Sequence, residues 1–385
     1  MYSNICQWFS EWYKLEDRNF PLDTWELEYI RDNVWDEWDS VNEHIDRTEE
    51  TQLKEREVID CLLLTAMNWA KQKTIKFTVR EADHFVDSVK SKKQTEQHTA
   101  EWHAEKVKLL TASEFGYIVG NSPSARKSVY ERKFEKMNQG GLTCMSPMSP
   151  TSPLGDATPV GVSNNNLLLP ATIWGHRFEP IARLLASKMF FDGGNILDSI
   201  GRIVHETYTN LAASPDGLIE EGPYKGNLIE IKCPITRIPI EEEILHDYYC
   251  QTQIQMEVLN CPIVEFVEMK FKQFKELPEE TKEWCGVLAV IQSDYSLRYE
   301  YGPFQEGLSL TVKDWQPVLK DNEFIVEKTF WILENSHWMT IHRNKFWWTE
   351  IGYPAYQKFW LDFDQKYKEW EIKNKESTKC LFTDD

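Results

Sequence analysis

Residues 227–233 read NLIEIKC. On a β-strand alternate side chains share a face, so Leu228, Glu230 and Lys232 point one way and Ile229, Ile231 and Cys233 the other. A carboxylate and an ammonium on one apolar-flanked face are costly to bury unless something uses them. On a solvated face the same pair is an ordinary ion pair, and the stretch alone leaves both readings open. Pro234 stops the strand and leaves Glu230 and Lys232 near its end. Working outward, residues 214–217 read SPDG, a Pro/Gly turn from which Asp216 projects. A short hairpin return would bring Asp216 beside Glu230. Two carboxylates that close stay ionised together only with a cation between them. Oxygen-only ligands with open positions favour magnesium or manganese. The backbone carbonyl of Ile231 is placed as a further ligand, and Lys232 would orient or deprotonate an attacking water and stabilise developing negative charge.

Three further segments offer polar groups. In WGHRFEPIARLLA, residues 174–186, Glu179 precedes Pro180. It either forms an i,i+4 surface ion pair with Arg183 or reaches the carboxylate site as another acid. Between 240 and 259 a helix is expected, with Tyr248, Gln251 and Gln255 on one face and Gln253 on another. Buried amides there need partners, and Gln251 could hold Lys232 or a phosphate. At LLTASEF, residues 109–115, Thr111 and Glu114 form a capping box at a helix start. Its free N–H groups, the Ser113 hydroxyl and the preceding Lys106 and Lys108 make either a plain capped helix or an anion site.

The 385 residues, 41% hydrophobic, are enough for one large core and a smaller domain. The net charge of −19 argues against a generic nucleic-acid binder. Residues 1–60 carry much of it, with 17 acidic and 6 basic side chains, so anion binding elsewhere would be local, in a groove. The eight cysteines show no CxxC pair or zinc spacing, which points to reduced thiols. No apolar run approaches the roughly 18 residues of a membrane span, and Met1–Ser10 lacks the regions of a signal peptide. The expected organisation is an acidic helical accessory domain over 1–95 and a catalytic core over 96–310. A flexible Pro/Ser-rich insert interrupts the core at about 138–170, and an aromatic-rich helical extension over 311–385 packs on it. Three helices open the chain, the third beginning at Thr78. Arg202–His205, Leu211–Ser214, Gly217–Ile219, Asn227–Lys232, Ile263–Phe271 and Gly286–Ile291 read as strands, Leu211–Ser214 and Gly217–Ile219 as two arms of a hairpin or bent strand. Phe324–Lys375 reads as helical, with Trp347, Trp348, Phe359 and Trp360 closing the core. Mixed strands with intervening helices give an α/β fold.

Trp102-His103, LLTASEF, WGHRFEP, AASPDGL, LIEIKCP and YYCQTQIQM follow one another between Glu101 and Phe271. In this order they resemble the lambda exonuclease-like family, the YqaJ viral recombinase domain of the PD-(D/E)XK nucleases. The resemblance implies a restriction-endonuclease-like core, a mixed central sheet flanked by helices. It implies magnesium, or manganese, held by Asp216, Glu230 and the Ile231 carbonyl, with Lys232 as catalytic lysine, Glu179 completing the site and Gln251 as the motif glutamine. Ser113, Thr111, Lys106, Arg126 and Tyr248 are then the expected contacts to DNA and its terminal 5′ phosphate. Lys106 stands where the family presents an arginine, and a lysine is a point charge rather than a fork. The implied activity is a 5′→3′ exonuclease on double-stranded DNA ends in viral recombination or repair. A structure- or sequence-specific endonuclease and a non-catalytic DNA-binding or assembly factor are the alternatives. The best-known members are ring-shaped trimers, which makes a homo-oligomer an expectation. The acidic N-terminal region would recruit a strand-annealing or replication partner. Without a secretion or membrane signal, an intracellular place is expected, host cytoplasm or nucleus for a viral source.

Overall fold

The computed structural model describes residues 24–73, 76–97, 99–120, 122–139, 170–241, 243–278, 281–293, 296–307 and 310–380. Most of the Pro/Ser-rich insert, residues 140–169, lies outside them. The chain forms two compact units, one of residues 1–78 with 342–385, the other of 79–341.

The first unit contains the helices Thr24–Val41, Glu49–Lys73 and Tyr353–Cys380. Ile59 and Leu63, one turn apart, are buried on the second, as is Val34 on the first. Trp347, Trp348, Tyr356, Phe359 and Phe363 are the buried aromatics of the C-terminal part, and the short turn Lys345–Trp347 touches the helix Glu49–Lys73. Trp360 is only half-buried. Acidic charge here is partly paired: Arg47 donates to Glu55 at 2.7 Å and Asp39 at 3.1 Å.

The second unit runs, in chain order, α1 (Val79–Ser91), β1 (Leu110–Thr111), α2 (Ala112–Val119), α3 (Pro123–Gln139), α4 (Ala171–Phe190), β2 (Ile196–Leu197), β3 (Ile203–Val204), β4 (Leu211–Ala213), β5 (Gly217–Ile219), β6 (Leu228–Lys232), α5 (His246–Leu259), β7 (Ile263–Phe274), β8 (Trp284–Gln292), β9 (Leu297–Glu306) and β10 (Phe324–His342). One sheet has the order β2-β5-β6-β7-β10-β8-β9, and a small one has β1-β4-β3. β6 is antiparallel to β5 and parallel to β7. A parallel pair needs a crossover, and α5 is that crossover. The sheet is therefore mixed and flanked by helices, as an α/β core requires.

The alternation in β6 sets the layers. Ile229 and Ile231 pack with Phe178, Ile181 and Leu185 of α4, Val267 and Met269 of β7 and Trp331 of β10. The other face carries Glu230 towards Gln251 and Gln255 of α5. Arg177 ties α4 to β10 through a two-pronged contact with Glu327 at 3.1 and 3.0 Å.

Several expectations need correction. Phe324–His342 is a strand, not part of a helix. It lies between β7 and β8, and its burial comes in runs rather than alternating: Phe330, Trp331 and Leu333 are buried while Phe324–Val326 are exposed, so no period of two marks it. Leu211–Ala213 and Gly217–Ile219 are not two arms of one hairpin: they enter different sheets, with Ser214–Asp216 as the passage. The helix expected from Ile240 starts at His246, beyond Pro239 and the acidic run around Glu241–Glu243. The third helix, α1, groups with the unit that holds the sheet, and Ala82, Phe85, Val86 and Val89 are its buried stripe. Residues 342–385 group with the N-terminal helices, and 311–341 with the unit that holds the sheet.

The start of α2 is fixed by a buried ion pair. Glu114 accepts from the Thr111 backbone N–H at 3.1 Å and from Lys133 at 2.9 Å, while Lys133 also donates to the Leu109 carbonyl at 2.6 Å. Burial pushes the Glu114 carboxyl up, but Lys133 and Lys106 outweigh it and leave it below the usual range. Lys133→Met, which leaves this carboxylate without its ammonium, should cost about 3–5 kcal/mol in urea unfolding at neutral pH. Because the folded pKa is depressed, the stability Glu114 contributes is present above its ordinary value near ~4.3 and lost as pH falls through the lowered one. The difference between wild type and variant should therefore shrink on acidification.

Candidate active site

Asp216 opens β5 and is held to β6 twice. Its backbone N–H donates to the Ile229 carbonyl at 3.1 Å, and its Oδ2 accepts from the Ile231 N–H at 2.8 Å. The hairpin return thus brings Asp216 onto the peptide between Glu230 and Lys232. Glu230 is fully buried. Its Oε1 accepts from Lys232 Nζ and, at 2.5 Å, from Gln251; its Oε2 accepts from Gln255 at 2.6 Å. Lys232 is partly exposed, at 22%, and its ammonium lies 5.1 Å above the Tyr248 ring. Arg237 lies over the same ring at 5.8 Å and pairs with buried Glu268.

The electrostatics are those of a site with too many carboxylates. Burial first, then the charges of Glu230 and Glu179, push the Asp216 carboxyl well above the usual range. Glu179 is raised as well, by burial and by Glu230, against the opposing charges of Arg183 and Lys232. Burial opposes the charge of Lys232, yet Glu230 and Asp216 together raise it above an ordinary lysine. Among the described residues no group of three or more His, Cys, Asp and Glu side chains is gathered to hold a metal ion. A cation here would rest on two carboxylates, Asp216 and Glu230, and on backbone oxygen. That donor set is all oxygen and carries surplus negative charge, which fits a hard divalent ion such as magnesium. Glu179 instead lies 3.9 Å from Arg183 on its own helix. Glu179, Asp216, Arg183 and Asp198 line a cavity of about 730 Å³ whose other wall includes Lys90, Lys92 and Gln94.

The segment expected to meet DNA ends lies at the start of α2. Ser113 is exposed there. The Thr111 hydroxyl is buried, and it contacts Glu114 at 3.0 Å and Ser113 at 3.3 Å. Lys106 is half-buried over the Trp102 ring at 5.6 Å. Arg126 donates to the Ile118 and Gly120 carbonyls at 3.1 and 3.4 Å, so it closes the C-terminal end of α2. α2 packs against α5 through Gly116: a Cβ there would lie 2.5 Å from Asp247 Oδ1 and 2.7 Å from its Cα. The helix bearing Ser113 is thereby fixed to the helix that holds Glu230.

Residues 101–262 match the YqaJ-like viral recombinase domain. The matched segment is 162 of the 385 residues. It contains Glu179, Asp216, Glu230, Lys232, Gln251 and Gln255, with Ser113 and Lys106. No curated protein sequence matches the chain. Solved structures similar to it at low identity include the following three. LHK-Exo in complex with dAMP is 17% identical, with 72% of this chain and 99% of that one covered and a TM-score of 0.40. The alkaline exonuclease LHK-Exo from Laribacter hongkongensis is 18% identical over 72% and 99%, with a TM-score of 0.39. A phage related exonuclease from Haemophilus somnus 129PT is 13% identical over 69% and 96%, with a TM-score of 0.33.

Two residues of the matched segment lie outside the set expected from the sequence. Gln255 shares a helix face with Gln251, and that spacing was the available signal; its acceptor on β6 is not visible in local sequence. Arg202 is 1% exposed, stacks on Trp102 at 4.2 Å and approaches Glu105 at 3.9 Å, while its Nε and Nη2 have no partner among the described residues. Nothing in its surrounding sequence marks it. Gln255→Leu, which strips Glu230 Oε2 of its donor, should cost about 1–3 kcal/mol in urea unfolding. Gly116→Ala should cost a similar ~1–3 kcal/mol by forcing α2 and α5 apart. A variant as stable as wild type would show that its contact is dispensable.

Proposed function

We propose that this chain is a divalent-metal-dependent deoxyribonuclease, a 5′→3′ exonuclease acting on double-stranded DNA ends in recombination or end processing. The observation that carries the reading is the convergence of Asp216, Glu230 and Lys232 around one peptide, with Asp216 Oδ2 2.8 Å from the Ile231 nitrogen. Asp216, Glu230 and the Ile231 carbonyl would hold the ion. A divalent ion so held supplies positive charge at the phosphodiester and makes water more acidic. Lys232, kept as an ammonium by its two carboxylate neighbours, orients the attacking water and donates to the phosphoryl oxygen as negative charge grows. Gln251 and Gln255 fix the Glu230 carboxylate by donating to both of its oxygens. Glu179, with its raised pKa, borders the same cleft as Asp216 and can hold a proton there. Ser113 and Lys106 supply the hydroxyl and the charge for a terminal phosphate.

The test uses purified full-length protein with magnesium, manganese or EDTA. The substrates are end-labelled linear duplexes with and without a 5′ phosphate, closed circular plasmid and circular single strands. Labelled nucleotide should be released from 5′ ends with either metal, while circles survive. Asp216→Asn and Lys232→Met should each lower kcat by about 10²–10⁴-fold. Plasmid nicking would replace the exonuclease by an endonuclease at the same site, and full activity in EDTA would remove the metal. Undiminished cleavage by Asp216→Asn would remove the site itself.

A further inference from the structure

Arg183 follows Glu179 by one helical turn, and its spacing alone describes a surface ion pair. In the fold it does something else. Its Nη1 donates to the main-chain carbonyl of Asp216 at 3.0 Å, and the same nitrogen lies 3.9 Å from Glu179 Oε1. Its Nη2 lies 3.4 Å from Asp198 Oδ2. The side chain is only 14% exposed, against 33% for Glu179 and 62% for Asp198. One planar group therefore joins three chain segments: α4, the connection from β2 to β3, and the turn that enters β5. A rigid fork can do this, whereas a single ammonium cannot satisfy the separate directions at once. The turn needs the support. Asp216 lies just before β5, and its cross-strand bonds to β6 run through its N–H and its carboxylate. Its carbonyl, the remaining polar group of the residue, is taken by Arg183.

We propose that Arg183 is a positioning residue that locks the Asp216 turn against the Glu179 helix and so sets the separation of the carboxylates in the cleft. The inference rests on the nuclease reading above. It assigns Arg183 no contact with DNA, although the residue lines the same cavity as Asp216, Lys90 and Lys92.

Two effects of removing Arg183 have opposite sign, which makes the test decisive. Loss of a positive charge beside carboxylates, acting through charge alone, would tighten divalent-ion binding. Loss of a clamp would weaken it. The full-length protein, Arg183→Met, Arg183→Lys and an Asp216→Asn control are titrated with Mn²⁺ in the absence of DNA by calorimetry. Their kcat and KM are then measured on a labelled linear duplex. For Arg183→Met, Mn²⁺ affinity and kcat are each expected to fall by about tenfold or more, since small misplacements of reacting groups are costly, with KM within about twofold. Arg183→Lys keeps the charge but not the fork and should recover only a minor part of either loss. If urea unfolding shows that Arg183→Met does not fold, Arg183→Lys carries the test alone. Mn²⁺ affinity and kcat at wild-type level in the folded variant would overturn the proposal. So would a raised KM at unchanged kcat, which would make Arg183 a DNA contact. Wild-type-like Arg183 variants beside an inactive Asp216→Asn would sink only this inference. A wild-type protein that neither binds Mn²⁺ nor cuts DNA would sink the nuclease reading beneath it.

Discussion

Glu230 is a carboxylate with no solvent exposure, on a strand inside a seven-stranded sheet. Desolvating such a charge costs several kcal/mol, and an apolar side chain of similar volume would serve the core better. The surrounding structure is arranged around offsetting that cost. Lys232 comes from the same face of the same strand, and Gln251 and Gln255 come from the crossover helix packed on it. The otherwise odd amides on a largely buried helix follow from this one carboxylate. α2 closes on the same helix through a glycine where any side chain would collide with Asp247. A buried carboxylate that weakens the core on its own terms, yet has donors on both of its oxygens, is the pattern expected where function rather than stability selects the residues.

The parts of the fold that the sequence revealed are those encoded locally. NLIEIKCP announces β6 because its alternation is strict and Pro234 ends it, and SPDG announces a turn because proline and glycine leave the backbone few choices. The antiparallel return from Asp216 to Ile229 follows from those two facts. β10 was hidden because its buried and exposed residues come in runs rather than in alternation, so no period of two marks it. The partition into 1–78 with 342–385 was hidden for a different reason: it depends on packing between distant segments, about which local periodicity is silent.

The same distinction separates the site residues. Asp216, Glu230, Lys232 and Gln251 each sit in a short, ordered motif. Gln255 has the right helical spacing, but its acceptor lies 25 residues away on another element. Arg183 shows how a local pattern can mislead. Its i,i+4 relation to Glu179 is real but long, at 3.9 Å, while its shorter contact is to a backbone carbonyl 33 residues on. Arg126, a cation near the proposed phosphate site, gives its Nη2 to helix-end carbonyls, a contact its sequence does not announce.

The charge balance poses a harder constraint. The cleft gathers three carboxylates, and burial and the charge of Glu230 drive Asp216 and Glu179 towards protonation, the form in which they no longer repel one another. Its cations are largely committed. Lys232 is bound to Glu230, Lys90 pairs with Glu220, Lys92 pairs with Glu206, and Arg183 faces inward to Asp216 and Asp198. All three carboxylates stay ionised together only with further positive charge among them. This is an electrostatic argument in favour of the proposed reading of Asp216 and Glu230 as ligands. Arg183, which lines the same cavity, counters part of that carboxylate charge at Glu179. On the proposal above it also holds the Asp216 turn in place through the main-chain carbonyl.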